Sequence, residues 1–336
     1  MNTSHTQATQ KLPSEIYGIE KELEASRLVA INKSKGRFKR AFFRSWIVLA
    51  TVFVVLGVLL SEQGGFRMVN VIGPVVFTLF LSLVVAGIYA FVRKGSSNYK
   101  FAALSKELLI PKIITFVNPD LAFSAKGISK KEFDAADLFD GPYLISEDTI
   151  EGTIEGAKVI SSECMSKSET RVYFNGPFIQ IEMKHIHVST PLKFFPSIIA
   201  ENFREEIKNF KGSKRWRPLR RIRNDEEDRV VADPAEKAPN YEIYCKSEQE
   251  ARVLLTPHLL KFVAFFYAKY GKENVFISLN QNKCYLALAQ DEKKNLFDTD
   301  TYLKKNLVES HFADQVHQDA QLVNQLMKEI TLINTL

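Results

Sequence analysis

Cysteine is scarce in this sequence, and the common catalytic signatures are missing. Its 336 residues include 3 cysteines, Cys164, Cys245 and Cys284, too far apart for a CxxC pair or a metal-ligand spacing. An odd number of widely spaced cysteines argues against a disulfide framework and fits a reducing compartment. HExxH, GxSxG, GxGxxG and kinase-type sequences are absent. Gly152-Thr-Ile-Glu-Gly-Ala-Lys158 misses the spacing of a phosphate-binding GxxxxGK[ST] loop. The nearest metal-like feature is His185-Ile-His187, whose imidazoles share a face if a strand continues through them. No third or fourth ligand lies nearby, and His5, His258, His311 and His317 have no assignable partners. No metal or cofactor is expected. Glu147-Asp148 offers two carboxylates, but neighbours on a strand point to opposite faces, so a turn or structural role is expected.

Charge is also missing in two places. Charged residues make up 25% of the chain, with a net charge of +6, yet Trp46–Leu60 and Met68–Val92 contain none. The second run is 25 residues, about 37 Å as a helix, enough to cross a hydrocarbon core of about 30 Å. The first reaches twenty residues when counted from Phe42 to Ser61, with Arg44 near enough to the end to snorkel. The link Ser61–Arg67 suits a tight antiparallel hairpin. Lys33, Lys35, Arg37, Lys39, Arg40 and Arg44 precede the first span, and Arg93, Lys94 and Lys100 follow the second. The positive-inside rule therefore places both termini in the cytoplasm. A cleaved signal peptide is not expected, because a long polar stretch precedes the first run. Ser82, Ala86 and Ala90, with Gly87 adjacent, recur at helical spacing and suit close packing within the hairpin or between copies in a homo-oligomer.

The chain divides into seven expected parts. A cytoplasmic tail and amphipathic helix (1–40) precede the first span (42–61), an external loop (62–67) and the second span (68–92). Then come the first part of a cytoplasmic domain (95–210), a basic-then-acidic linker (211–239), and the second part with a C-terminal helix (240–336). Ser14 is placed to cap a helix from Glu15 to about Asn32, with Ile16, Ile19, Leu23 and Ala30 near one face and Glu20, Glu22 and Glu24 on others. Within the domain, helices are expected at Tyr99–Phe116 (interrupted at Pro111), from Ser129, at Pro196–Phe210, at Glu248–Tyr270 in two parts around Pro257, at Thr299–Leu307 and at Ala313–Leu332. Strands are expected at Thr149–Ile154, Lys158–Cys164, Phe178–Met183, Tyr241–Cys245, Val275–Leu279 and Cys284–Leu288. The fold class is α+β, antiparallel strands packed with helices, anchored by the transmembrane hairpin. The cysteines read as small core residues.

Four segments carry a family resemblance: SEDTIEG at 146–152, FNGPFIQIE at 174–182, NYEIYCKSEQEARVLLTPHLL at 240–260 and VFISLNQNKCYLALA at 275–289. Together with two N-terminal spans they resemble the uncharacterised bacterial membrane family known as domain of unknown function 3137, from roughly residue 95 to residue 300. Asp233–Pro239 departs from the acidic-aromatic stretch usual there. The resemblance implies a bacterial inner-membrane protein. It brings no known activity and no catalytic residue.

Lys211–Arg223 (KGSKRWRPLRRIR) holds seven basic residues among thirteen. It reads as a solvated linker, neutralised in part by Asp225–Asp228, or as a contact for anionic lipid headgroups. The contact residues would be Lys211, Lys214, Arg215, Trp216, Arg217, Arg220, Arg221 and Arg223. Nucleic acid is a weaker polyanion here, since no binding fold accompanies the run. The leading functional expectation is a noncatalytic, membrane-tethered interaction or regulatory module that binds a protein partner. The alternative is a membrane-bound hydrolase or transferase with a site assembled from distant residues. Transport is disfavoured, because the two spans carry no internal charge.

Overall fold

The computed structural model describes residues 11–61, 80–81, 84, 103–197, 229–230, 241–271, 273–290, 296–297 and 306–336. The chain forms two compact units. One comprises Met1–Leu109 with Thr299–Phe312, the other Ile110–Asp298 with Ala313–Leu336.

The first unit is dominated by α1, Ser14–Ser61. The amphipathic arm and the first apolar run are thus one helix, where the sequence suggested a stop near Asn32. No proline or glycine pair interrupts the stretch, so nothing breaks it. Ile16 and Leu23 are buried as expected, and Leu12, read from sequence as part of the tail, is buried too. Glu20 and Glu24, assigned from sequence to other faces, are buried as well. Arg27 accounts for Glu24: its Nε and Nη2 donate to the two carboxylate oxygens at 2.7 Å, and the Leu307 amide donates at 3.2 Å. Burial works against the charge, but these donors outweigh it and hold the carboxyl below its ordinary range.

Among the described residues no single helix is long and apolar enough to cross a membrane; the apolar stretch of α1, Phe42–Val52, is short for one. Most of the second run, Met68–Val92, lies outside the described residues, including Ser82, Ala86, Gly87 and Ala90. Its described members Phe80, Leu81 and Val84 are helical and exposed.

The second unit is an α+β domain built on one antiparallel sheet. Its strands are β1 (Leu121–Lys126), β2 (Tyr143–Ile154), β3 (Ala157–Lys167), β4 (Val172–Glu182), β5 (Val188–Pro196), the two-residue β6 (Arg229–Val230), β7 (Tyr241–Tyr244), β8 (Val275–Gln281) and β9 (Lys283–Leu288). Their order is β1-β2-β3-β4-β9-β8-β5-β7-β6. Strands from before and after the 211–239 linker interleave, so the two sequence blocks share a single sheet.

Local chemistry explains most of these boundaries. Glu155 and Gly156 both take positive φ (52° and 71°), the two-residue turn that suits the twist of β2 and β3. Gly176 (φ 141°) lies against β9: a Cβ there would meet the Leu288 carbonyl oxygen at 2.2 Å. The following Pro177 then sits just before pairing with β9 begins at Phe178–Ala287, where a missing amide costs no ladder bond.

The described helices of this unit are α2 (Ile110–Val117), α3 (Lys130–Asp134), α4 (Glu248–Leu254), α5 (Pro257–Tyr270) and α6 (Phe312–Thr331, whose first residue belongs to the other unit). Pro111 falls in the first turn of α2, its tolerated place. Ser129 and Glu132 form a reciprocal capping box on α3. Ser247 caps α4 and Thr256 caps α5, with Pro257 opening the latter. Two caps in ten residues produce an 83° bend, which gives the EARVLLTP stretch a structural meaning.

One sheet face carries a row running across Ser161, Ile179, Leu286, Ile277, Phe194 and Ile243. This row faces helix α5, whose Tyr267 meets Tyr241 at 5.0 Å between ring centroids. The opposite face is covered by an aromatic cluster, in which Phe133 and Phe139 pack on Phe174, Phe178 and Phe276.

Two assignments need correction. Pro196 ends β5, so the expected helix starts no earlier than Ser197, which is helical, and 198–210 lies outside the described residues. Leu307 occupies a turn; 299–305 also lies outside them.

Candidate functional site

The three cysteines are buried free thiols. Burial pushes Cys164 up to about 12 and raises Cys284 further, so both are inert core residues at neutral pH. His185 and His187 are exposed in a bend after β4; the strand does not continue through them, so they share no sheet face. Among the described residues no group of three or more His, Cys, Asp or Glu side chains is arranged to hold a metal ion. The expected contact residues Lys211, Lys214, Arg215, Trp216, Arg217, Arg220, Arg221 and Arg223 all lie outside the described residues.

The Glu147-Asp148 pair has the turn-like geometry that its separation demanded, through a β-bulge. Counting outward from the Glu155-Gly156 turn pairs Ile150 with Ser161 and would set Glu147 opposite Cys164. One extra residue on β2 shifts the register, so that Glu147 pairs with Glu163 instead. Asp148 takes φ 56° and is 4% exposed. A hydroxyl network pins the bulge from the other face. The Ser162 hydroxyl donates to the Glu147 carbonyl at 2.9 Å, and Thr149 donates to Ser162 at 3.1 Å.

Glu163 has the same strand parity as Ser161 and therefore points to the helix-covered face. It is 6% exposed, and neither carboxyl oxygen has a hydrogen-bond partner among the described residues. Burial raises its pKa to about 8, and the charges of Asp148, Glu147 and Asp319 reinforce the rise. The Leu296 amide is the one neighbour favouring ionisation, though it does not reach hydrogen-bond geometry. Asp319, on α6, is engaged by the Phe297 amide at 3.2 Å and the Gln315 side chain at 3.3 Å. At neutral pH this arrangement stores a proton on Glu163 under cover. A general acid must reach its substrate, and this one is enclosed.

On the other face, Glu132, Lys158, Gln180, Glu182 and Lys283 border a depression of about 80 Å³. Ligand clefts run to roughly 300–1,000 Å³, and Glu182 already faces Lys283 across the β4–β9 pair. A second polar group lies farther along that face, where Lys193 reaches Asp137 at 3.1 Å and the Tyr244 hydroxyl donates to Glu242 at 2.7 Å. These contacts bind core elements to one another and present no nucleophile to solvent.

Glu250 is the remaining polar anchor. Its carboxylate accepts from the Ser189 amide and hydroxyl at 2.6 and 2.8 Å and from the Thr190 hydroxyl at 2.7 Å. It therefore ties α4 to the start of β5.

The geometry defines an α+β sheet domain with buried polar anchors and no assembled catalytic group among the described residues. Residues 173–332 match the family model described as "Protein of unknown function (DUF3137)". The match begins after SEDTIEG at 146–152, which the resemblance had included, and continues past residue 300. No curated protein matches the sequence. Among solved structures, the crystal structure of the mycobacterial trehalose monomycolate transport factor A, TtfA, aligns at 9% identity. The alignment covers 66% of this chain and 95% of that one, with a TM-score of 0.31, a likeness too low to carry an argument.

Proposed function

We propose that this chain is a noncatalytic, membrane-tethered module that holds its α+β domain at the cytoplasmic membrane face for interaction with a protein partner. The observation that carries the reading is the surface of α1. Phe43, Trp46, Ile47, Val48 and Val52 are between 36% and 62% exposed, and at 100° per residue they cover roughly two thirds of the helix circumference. A core helix buries one stripe; a helix apolar around its girth suits lipid. Five basic residues of the same helix, Lys33, Lys35, Arg37, Lys39 and Arg40, stand on the N-terminal side of the patch, and Arg44 follows its first residue. That order favours a cytoplasmic N-terminus.

The exposed helical residues Phe80, Leu81 and Val84 support a return span, and hence the two-span bacterial inner-membrane arrangement. The basic run 211–223 would then lie within reach of anionic headgroups, where each lysine or arginine contributes about 1 kcal/mol.

Reporter fusions at Gly64 and at the C-terminus should report opposite sides of the membrane. Recovery of the full chain in the soluble fraction would sink the reading. Crosslinking in native membranes should recover a reproducible protein partner, and none appearing would remove the interaction half. Replacing Arg215, Arg217, Arg220 and Arg221 with glutamine should weaken association with anionic vesicles; unchanged association at low salt would discard the lipid contact.

A further inference from the structure

Glu163 is a poor structural residue as it stands. A buried carboxyl normally keeps its place through hydrogen bonds or a counter-charge; among the described residues neither oxygen of this one has a hydrogen-bond partner, and the Leu296 amide alone favours its charge. The charged groups acting on it are acidic on both elements packed against it: Glu147 and Asp148 on β2, and Asp319 on α6. The remaining approach is the Leu296–Phe297 turn, whose Phe297 amide bonds Asp319. Phe297 also packs edge-on against Phe123 of β1, at 6.1 Å between ring centroids. The end of the sheet, the turn and α6 therefore meet around one carboxyl that is comfortable there only when neutral.

We propose that Glu163 is a protonation latch: neutral, it lets the Leu296–Phe297 turn and α6 close over the bulged end of β2 and β3, and its ionisation releases them. The release is local because the neighbours that repel the new charge sit on separate elements. Glu147 and Asp148 are held in the sheet, whereas Asp319 and the turn can move away. Water admitted by that movement solvates the carboxylate. The fully buried row Ile179, Leu286, Ile277 and Phe194 contains no charge and stays shut. The device lies in the sheet domain and does not rest on the membrane reading.

Hydrogen exchange on the full chain in detergent micelles, corrected for the intrinsic pH dependence of exchange, tests the latch. Protection over Glu147–Ile150 and Leu296–Phe297 should fall on the order of tenfold between about pH 6.5 and 9.5. Protection of the β8–β9 hairpin should hold. In Glu163→Gln the fall should disappear. A fall of the same size in that variant, or none in the wild type, overturns the proposal. Should Glu163→Gln fail to protect β8–β9, Glu147→Gln carries the test. Removing that neighbouring charge eases ionisation and must move the midpoint to lower pH, and an unmoved midpoint is equally fatal.

Discussion

Phe42–Val52 of α1 and Pro257–Tyr270 of α5 are both apolar helical stretches, and hydropathy alone treats them alike. Together with α4, α5 even meets the length and composition of a span, though bent by 83°. Their surroundings differ. In α5, Leu259, Phe262, Val263, Phe266 and Tyr267 are buried, the i, i+3, i+4, i+7, i+8 stripe of a helix lying on a core. His258 and Lys261 fall outside that stripe. Along Phe42–Val52 no such stripe forms among the described side chains; Ile47 and Val48, adjacent in sequence, are both exposed. The lesson is that the distribution of apolar residues around a helix distinguishes its solvent better than their number does.

The same substitution should therefore have opposite consequences in the two helices. Val263→Asp buries an unpaired carboxylate at a fully enclosed position and should unfold the sheet domain, at a cost of about 4 kcal/mol or more. Val48→Asp should leave the domain's thermal midpoint within error and instead reduce the share of protein retained by carbonate-washed membranes. Equal loss of domain stability in both variants would break the distinction.

A smaller effect concerns an acid under the same helical cover. Glu163 titrates near 8 in the fold and near 4.5 when exposed. The folded state thus holds a proton that the unfolded chain gives up. Its stability contribution is complete below about pH 4.5 and is lost as pH rises through 8, at about 1.4 kcal/mol per unit between those limits. Glu163→Gln removes this slope. Relative to the wild type, the variant should gain roughly 3–5 kcal/mol between pH 4.5 and 8.5, read from paired denaturant midpoints. Parallel pH profiles would show that Glu163 is already ionised in the fold.

How much of this could be read from the sequence depends on the range of the interaction. The caps at Ser129 and Thr256, the Gly156 turn and the alternating FIQIE strand are local signals, and each marks an element in the fold. β1 and β5 went unread. β5 contains Pro191 and ends at Pro196, which usually argue against an internal strand. Here the register against β8 jumps between Val188 and Leu192, so Pro191 sits at an irregularity and Pro196 at the strand end. The Glu163–Glu147 pairing was hidden for a related reason: it depends on one inserted residue eight positions from the hairpin turn. Glu20 and Glu24 were misplaced because Glu24's burial depends on a residue 283 positions away. Counting strand register outward from Glu155-Gly156, with a bulge allowed at the polar Glu147–Thr149 stretch, was the available signal for the acid group.

The bend between α4 and α5 tests what keeps the apolar helix on the core. Thr256 accepts from the Leu259 amide at 3.2 Å, satisfying an otherwise orphaned donor. Thr256→Ala should cost about 1 kcal/mol, visible as a lower thermal midpoint of the domain. Thr256→Ser, which keeps the acceptor, should recover most of it. If the serine variant melts with the alanine variant, the cap is not what sets the start of α5.

The smallest effect lies on the far side of that bend. Arg252 and Glu248 pair at 2.7 Å along α4, with side chains 63% and 66% exposed. Water and salt screen such a pair, and an exposed i,i+4 contact contributes about 0.3–0.5 kcal/mol. Glu248→Ala should lower the midpoint barely beyond error at low salt, and the difference should vanish at about 1 M salt. The contrast with Glu250 two residues on is the sharper measurement. Glu250 bridges to Ser189 and Thr190 on β5, so Glu250→Ala should cost more than Glu248→Ala and should persist in salt. Equal, salt-sensitive losses at the two positions would mean that the Glu250 bonds to β5 add nothing beyond surface charge.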